Sequence, residues 1–419
     1  MRPAALDLVR DYRAGRRTVT ETVRAVLDEL GEVSERIGAV AATDHERSLA
    51  EAARADLRVR TGNARVLEGV PLTVKDWIDV AGWPVSGSTG SLRGDPGRRP
   101  GTDAPAVARL RAAGAIVVAV SSAMADNALH GVTRNPRDPS RAPGGSSSGT
   151  AALVAAGTVP LGLGSDSGGS LRLPAAWCGV AALKPTFGRV PLTGHFPRCG
   201  ALEDGRTVIG PLASNVGDLA VALRVIAGPD GMDAGVPPVP LRDPGAVGMR
   251  GLRVGVTAGA EDDEPMALAV ETLAAAGAIV AGEPVPDIRR EALELTRRHW
   301  GRAELPGAEN VRLLWDWDRF RRRMLLATAH LDVLLTPAVT EPAPPWRESA
   351  EADYAWTLPW SLTGAPVVVV PSGTVAGLPG SVQVVARPWE DHVALAAALR
   401  IEHGRVGRGD PASVSEGTA

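Results

Sequence analysis

Lysine is almost missing from this chain. Of 45 strongly basic side chains only Lys75 and Lys184 are lysines, and every other one is arginine. Cysteine is as scarce: Cys178 and Cys199 stand alone, without CxxC spacing. Two cysteines cannot build a disulfide framework, so both read as free thiols in a reducing compartment. No run of apolar residues reaches the roughly 18 needed to span a bilayer. The opening stretch MRPAALDLVRDYRAGRR has neither the apolar segment of a signal peptide nor that of an anchor, which makes the cytoplasm the expected location. No large block of one charge sign exists either. The net charge is −3 with 22% charged residues, which argues against a nucleic-acid or membrane partner. Arg321–Arg323, the longest basic cluster, lies beside Asp316 and Asp318 and reads as a solvated helix face. HExxH is absent, and the seven histidines (45, 130, 195, 299, 330, 392, 403) sit in no recognisable motif, so no metal is expected. Gly162 to Gly169 resembles a phosphate loop but lacks the Gly-Lys-Ser/Thr ending, so no nucleotide cofactor is expected.

What the chain does have is length, 419 residues with 44% hydrophobic content, and a regular order of elements. Thr18-Val19-Thr20-Glu21 matches a capping box ahead of Val23, Val26, Leu27 and Leu30 at helical spacing. A second helix is predicted over His45–Arg58. Val70–Val74 reads as a short strand that delivers Lys75 at its end. Asp103–Ala113 is a helix with Pro105 in its first turn, and Ala115–Val120 a buried strand. Thr133–Gly149 is all turn chemistry, followed by a small-residue helix over Thr150–Ala156. Thr158–Leu163 is a strand, Gly164–Ser170 a glycine- and serine-rich loop, and Val180–Leu183 a strand. Strands at Leu252–Val256, Ala278–Val280, Leu331–Leu335, Pro366–Val370 and Ser381–Ala386 alternate with helices over Met266–Ala276, Ile288–Thr328 and Asp391–Glu402. The alternation argues for an α/β fold with helices on both faces of a sheet.

The chemistry concentrates in serines. Gly145-Ser146-Ser147-Ser148-Gly149 fits the G-x-S-x-G nucleophile elbow in letters, but a turn-rich loop precedes it where that motif needs a strand. A serine hydroxyl needs an adjacent base, and without a histidine in evident reach a neutral lysine can serve. Arginine cannot, because it stays protonated. Lys75, kept as lysine after an apolar strand, fits such a role; a salt bridge with Asp76 or Asp79 is the ordinary alternative. The runs Gly144–Gly149 and Asp166–Ser170 are small enough to leave successive backbone N–H groups unshielded, as an oxyanion hole requires. A plain flexible turn is the alternative for each.

Taken together and in order, Pro71-Leu72-Thr73-Val74-Lys75-Asp76, Pro143-Gly144-Gly145-Ser146-Ser147 and Gly162–Ala175 (GLGSDSGGSLRLPA) resemble the amidase-signature family, as does Gly179–Arg189 (GVAALKPTFGR). The two serines, 24 residues apart, fit as well. Ala104–Leu110, Thr363–Pro366 and Gly380–Pro388 extend the similarity over most of residues 1–403. The resemblance implies a large, mostly mixed central β-sheet covered by helices on both faces. It implies one domain over 1–403, with N-terminal helices 1–62, a catalytic core 63–228, a C-terminal half 249–403, and a frayed tail 404–419. It further implies a Ser–Ser–Lys triad: Ser170 as nucleophile, Ser146 on a cis peptide as proton relay, and Lys75 as base. The N–H groups of Ser167, Gly168, Gly169 and Ser170 would form the oxyanion hole. Ser147, Asp166 and Arg172 would support the loops, and Lys184 would be structural. The implied activity is hydrolysis of a small-molecule carboxamide without a cofactor. An amidotransferase subunit or acyl transferase is the second reading, a non-catalytic scaffold the third; a homodimer or a partner subunit is compatible with the first two.

Several positions depart from the family pattern. Ser148 stands where a glycine is usual, Trp77 where a smaller polar residue is common, and Ser121–Asn127 lacks the usual lysine and glutamate. The stretch 288–328 is short. Trp77, Trp83, Trp177, Trp356 and Trp360 lie close in sequence to site segments and are candidates for the walls of an acyl pocket, with core packing the ordinary alternative.

Overall fold

The structure is a computed structural model that describes residues 4–196, 204–260 and 263–407. In chain order its helices are α1 (Ala5–Arg13), α2 (Val19–Ile37), α3 (His45–Arg60), α4 (Pro105–Ala112), α5 (Ser148–Ala155), α6 (Arg172–Cys178), α7 (Val216–Ile226), α8 (Glu264–Ala275), α9 (Arg289–Trp300), α10 (Gly307–Ala327), α11 (Leu358–Thr363) and α12 (Asp391–Gly407). Its strands are β1 (Val40–Ala42), β2 (Pro71–Lys75), β3 (Ile116–Ser121), β4 (Asp126–Asn127), β5 (Gly131–Val132), β6 (Leu161–Asp166), β7 (Ala181–Lys184), β8 (Val208–Ala213), β9 (Arg253–Val256), β10 (Ile279–Val280), β11 (Val333–Pro337), β12 (Val367–Val375) and β13 (Leu378–Ala386).

Eleven strands form one mixed sheet in the order β1-β3-β2-β6-β8-β7-β12-β13-β11-β9-β10; β4 and β5 pair separately. β2 runs parallel to both β3 and β6, and β9 parallel to β10 and β11, while the remaining neighbours are antiparallel. The central strands read as continuous apolar runs because both faces are covered. The alternation of side chains shows it: Val368 and Val370 pack into one apolar cluster with α4, α7, α8 and α12, whereas Val369 between them packs into another with α2, α3, α5 and α6. The expected mixed α/β sheet with helices on both faces is therefore what forms.

The capping box is present as read: Thr18 accepts from the Glu21 N–H, and Glu21 reaches back to the Thr18 N–H. Two boundaries differ from expectation in ways that matter for the site. β6 runs on to Asp166 instead of ending at Leu163, because it pairs with β8 up to Asp166↔Val208. Gly164 permits this: a Cβ there would stand 2.7 Å from Ser147 Oγ. Likewise α5 begins at Ser148, inside the stretch read as turn, with Ser148 Oγ donating to the Gly144 carbonyl at 2.5 Å. At the far end α12 passes Glu402 and reaches Gly407, into the stretch read as a tail. Residues 408–419 and Cys199 lie outside the described residues. Cys178 is buried and free.

Candidate active site

β2 and β6 are parallel neighbours, with Thr73 opposite Gly162 and Val74 opposite Leu163. Their carboxyl ends therefore meet, and the carboxyl ends of parallel strands are where α/β sheets place ligands. Lys75 ends β2 with no exposed surface; Ser165 and Asp166 end β6 and are also buried. Lys75 Nζ donates to Ser146 Oγ at 2.7 Å and to Ser165 Oγ at 3.1 Å. The Trp77 ring lies 4.0 Å from Nζ. Of the carboxylates weighed as partners for Lys75, Asp76 is held by the Ser86 N–H and hydroxyl and by His130, and Asp79 by Arg98 at 2.7 Å.

Two loops flank this site, one touching the lysine through Ser146 and the other following Ser165 and Asp166 at the end of β6, and each runs straight into a helix. The first carries Ser146, on a cis Gly145–Ser146 peptide, and leads into α5. The second carries Ser170, half-buried, and leads into α6. Ser147 ties them: its N–H donates to the Ser170 carbonyl at 3.1 Å, and its hydroxyl donates to the Ser165 carbonyl at 3.2 Å. Asp166 shapes the second loop by accepting from the Leu171 N–H at 3.1 Å and from two nitrogens of Arg172. Burial pushes the Asp166 carboxyl up, but the Arg172 charge and its hydrogen bonds win and hold it below the usual carboxylate range. Gly169 takes φ +143°, and a Cβ there would stand 2.2 Å from Thr357 Oγ1, so both backbone shape and space demand glycine. Ser167 Oγ lies 2.6 Å from Thr207 Oγ1. Among the described residues the N–H groups of Gly168, Gly169 and Ser170 donate no hydrogen bond.

The structure thus brings Lys75 and Ser146 into contact and packs the Ser147, Asp166 and Arg172 supports around the loop of Ser170. Lys184 is buried, donates to the Pro185 carbonyl at 3.1 Å, and is pushed down to about 7, chiefly by burial and then by Arg172. Sequence reasoning missed four groups that touch the centre. Ser165 lay inside a serine-rich run already singled out. His195, whose Nε2 is 3.0 Å from Ser165 Oγ, had no motif to reveal it. Tyr354 and Thr357 clasp the loops from the far half of the chain, with Tyr354 Oη donating to the Gly145 carbonyl at 2.9 Å and Thr357 Oγ1 to the Gly168 carbonyl at 2.5 Å. Of the five candidate tryptophans, four are buried. Trp83, Trp177 and Trp360 are packed into three separate apolar clusters, and Trp356 is buried with Arg289 over its ring at 3.8 Å. Trp77 borders the lysine.

No group of three or more metal-ligating side chains exists among the described residues, and no helix of theirs is long and apolar enough to cross a membrane. The wide mixed sheet, with a buried lysine and two serine loops at the carboxyl ends of its parallel strands, defines the class of molecule. The chain belongs to the amidase family, whose family model matches residues 21–296 and 308–395. It is 32% identical to a subunit of the glutamyl-tRNA(Gln) amidotransferase of Roseiflexus castenholzii, over 88% of this chain and 89% of that protein. It is also 32% identical to the AtzE subunit of the 1-carboxybiuret hydrolase of Pseudomonas sp. strain ADP, over 96% and 99%. Among solved structures, the peptide amidase of Stenotrophomonas maltophilia superposes with a TM-score of 0.80 at 27% identity, covering 96% of each chain.

Proposed function

We propose that this protein is an amidase that hydrolyses the C–N bond of a small-molecule carboxamide through an acyl-enzyme on Ser170. The contact that carries the reading is the 2.7 Å hydrogen bond between buried Lys75 Nζ and Ser146 Oγ. A lysine held out of water keeps its charge only at a cost, which suits a base that must work uncharged. Ser170 Oγ attacks the amide carbonyl while its proton passes to Ser146 Oγ and the Ser146 proton to Lys75 Nζ. The carbonyl oxygen, now negative, sits against the N–H groups of Ser167, Gly168, Gly169 and Ser170, and fixed donors of this kind contribute about 10²–10³ each in rate. Collapse breaks the C–N bond, with the proton returning from Lys75 through Ser146 to the leaving nitrogen. Water then enters by the same route and releases the acid.

The test uses purified protein with a panel of primary amides, anilides, ureas and esters, together with a fluorophosphonate probe. Wild type is expected to turn over at least one class and to be labelled at Ser170. Ser170→Ala should abolish both, and Lys75→Arg should lose about 10³-fold or more in kcat/KM, since an always-charged side chain cannot accept the proton. Near-normal activity in Lys75→Arg overturns the assignment. The similarity to amidotransferase subunits supports a second reading, in which the same centre releases ammonia for a partner; activity that appears only with an added larger subunit would favour it.

A further inference from the structure

The hydrogen-bond chain at Lys75 does not stop at Ser165. Ser146 Oγ, Lys75 Nζ, Ser165 Oγ and His195 Nε2 follow one another at 2.7, 3.1 and 3.0 Å. All four residues are buried, His195 being the most exposed at 8%. His195 is fixed by its own backbone, which donates to the Leu192 carbonyl at 2.9 Å and bridges to Ile78, and by its ring, set edge-on to Trp77 at 6.2 Å. The segment that carries it is docked on the residues directly after Lys75.

A serine hydroxyl has one proton to give and two lone pairs. The side-chain oxygen of Ser165 has Lys75 and His195 as its hydrogen-bond neighbours. When His195 Nε2 carries no proton, it accepts the Ser165 proton, and the Ser165 oxygen is free to accept an N–H of Lys75. An uncharged lysine amine has two N–H groups and one lone pair; with one N–H on Ser165, the lone pair is available to the Ser146 hydroxyl. When Nε2 carries a proton, it donates to Ser165, and the Lys75 lone pair is then the acceptor left for the Ser165 proton between its two neighbours. The base is then occupied.

We infer that His195 is a positioning residue for the catalytic centre: with Nε2 unprotonated it orients Ser165 so that the Lys75 lone pair is presented to Ser146. This inference rests on the role of Lys75 proposed above. Among the described residues, the charged and titratable groups around His195 include Lys75 itself, reached through Ser165; Asp76, bound by Ser86 and by His130 at 3.1 Å; Asp79, whose N–H donates to the Gly194 carbonyl and whose carboxylate accepts from Arg98; and Arg98, over the Phe196 ring at 4.1 Å. Both carboxylates are thus engaged by partners of their own.

Protonation of the His195 ring places a proton on Nε2 and disables the base, in addition to the proton taken up by Lys75. The rate of Ser170 labelling, and kcat/KM for any substrate found, are therefore expected to fall toward acid pH with a logarithmic slope approaching about 2. In His195→Gln the amide oxygen can accept from Ser165 without titrating. The slope should drop to about 1, and activity at about pH 6 relative to about pH 9 should rise about fivefold or more. His195→Phe, which removes the acceptor, should lose about 10–100-fold in kcat with KM little changed. Independently of any variant, ¹⁵N-histidine NMR on the full wild-type chain at alkaline pH should show the His195 Nε2 unprotonated. An Nε2–H tautomer there, or a His195→Gln profile that superimposes on wild type while wild type is labelled, overturns this inference alone. Absence of Ser170 labelling in wild type at every pH overturns the Ser170–Lys75 reading and this inference with it.

Discussion

A guanidinium without exposed surface must find an acceptor for each of its five N–H groups, and Arg172 does. Nε and one Nη2 hydrogen go to Asp166 at 3.0 and 2.9 Å, and the other Nη2 hydrogen to Ser361 Oγ at 2.6 Å. Nη1 serves the Thr357 carbonyl at 2.7 Å and Gln383 Oε1 at 3.1 Å. Removing one member of a buried pair leaves the other uncompensated, at about 3–5 kcal/mol. Arg172→Met is therefore expected to lose about that much in urea unfolding. Arg172→Lys should lose about 2–4 kcal/mol, since three ammonium donors cannot replace a planar fork of five. Recovery of wild-type stability by lysine would show that charge alone suffices. At this scale the serines and Lys75 were legible because they sit in short local runs. Tyr354, Thr357, Ser361 and Gln383 were not, because they reach the site only through the fold and no local spacing marks them.

Among elements, α2 is the clearest case of local instruction. Its start is written in Thr18 and Glu21, and its buried face in Val19, Val23, Val26, Leu27, Leu30, Val33 and Ile37. Thr18→Ala removes the acceptor for the Glu21 N–H and should cost about 1 kcal/mol by denaturant unfolding; no change would mean that Asp56, which accepts from the Val19 and Thr20 N–H groups, holds the turn unaided. α6 is the opposite case and had no expectation attached. All seven of its residues, including Arg172, are buried, so no polar face exists to set a helical period. α5, buried over Ser148–Val154 and built from small residues, blurs its own start in the same way. The helices that carry the two serine loops are thus the ones that hydrophobic patterning reads least well.

For the molecule as a whole, the first and last helices of the described residues are joined at α7. Asp218 accepts from the Ala5 and Leu6 N–H groups at the start of α1, and Glu402 of α12 accepts from the Val216 N–H at 3.0 and 3.2 Å. Burial pushes the Glu402 carboxyl up to about 7 from its ordinary 4.5, more than the Val216 hydrogen bond pulls it down. The folded chain therefore binds more protons than the unfolded one between those values. The associated stability is complete below about 4.5 and is lost as pH rises through about 7. Glu402→Gln keeps an acceptor for Val216 and removes the ionisation. It should match wild type near pH 5 and exceed it by about 1–3 kcal/mol near pH 8.5 in urea unfolding. Equal stabilities at both values would show that Glu402 ionises in the folded chain as readily as in the unfolded one.

The clasp made by Tyr354 and Thr357 bears on how the sequence can be cut. Both serine loops are braced by side chains more than 180 positions downstream. A fragment ending near residue 228 would carry every group of the proposed triad yet lack both of these downstream props. The proposed chemistry and part of its bracing thus lie in opposite halves of the polypeptide, so cutting between them is expected to loosen both serine loops.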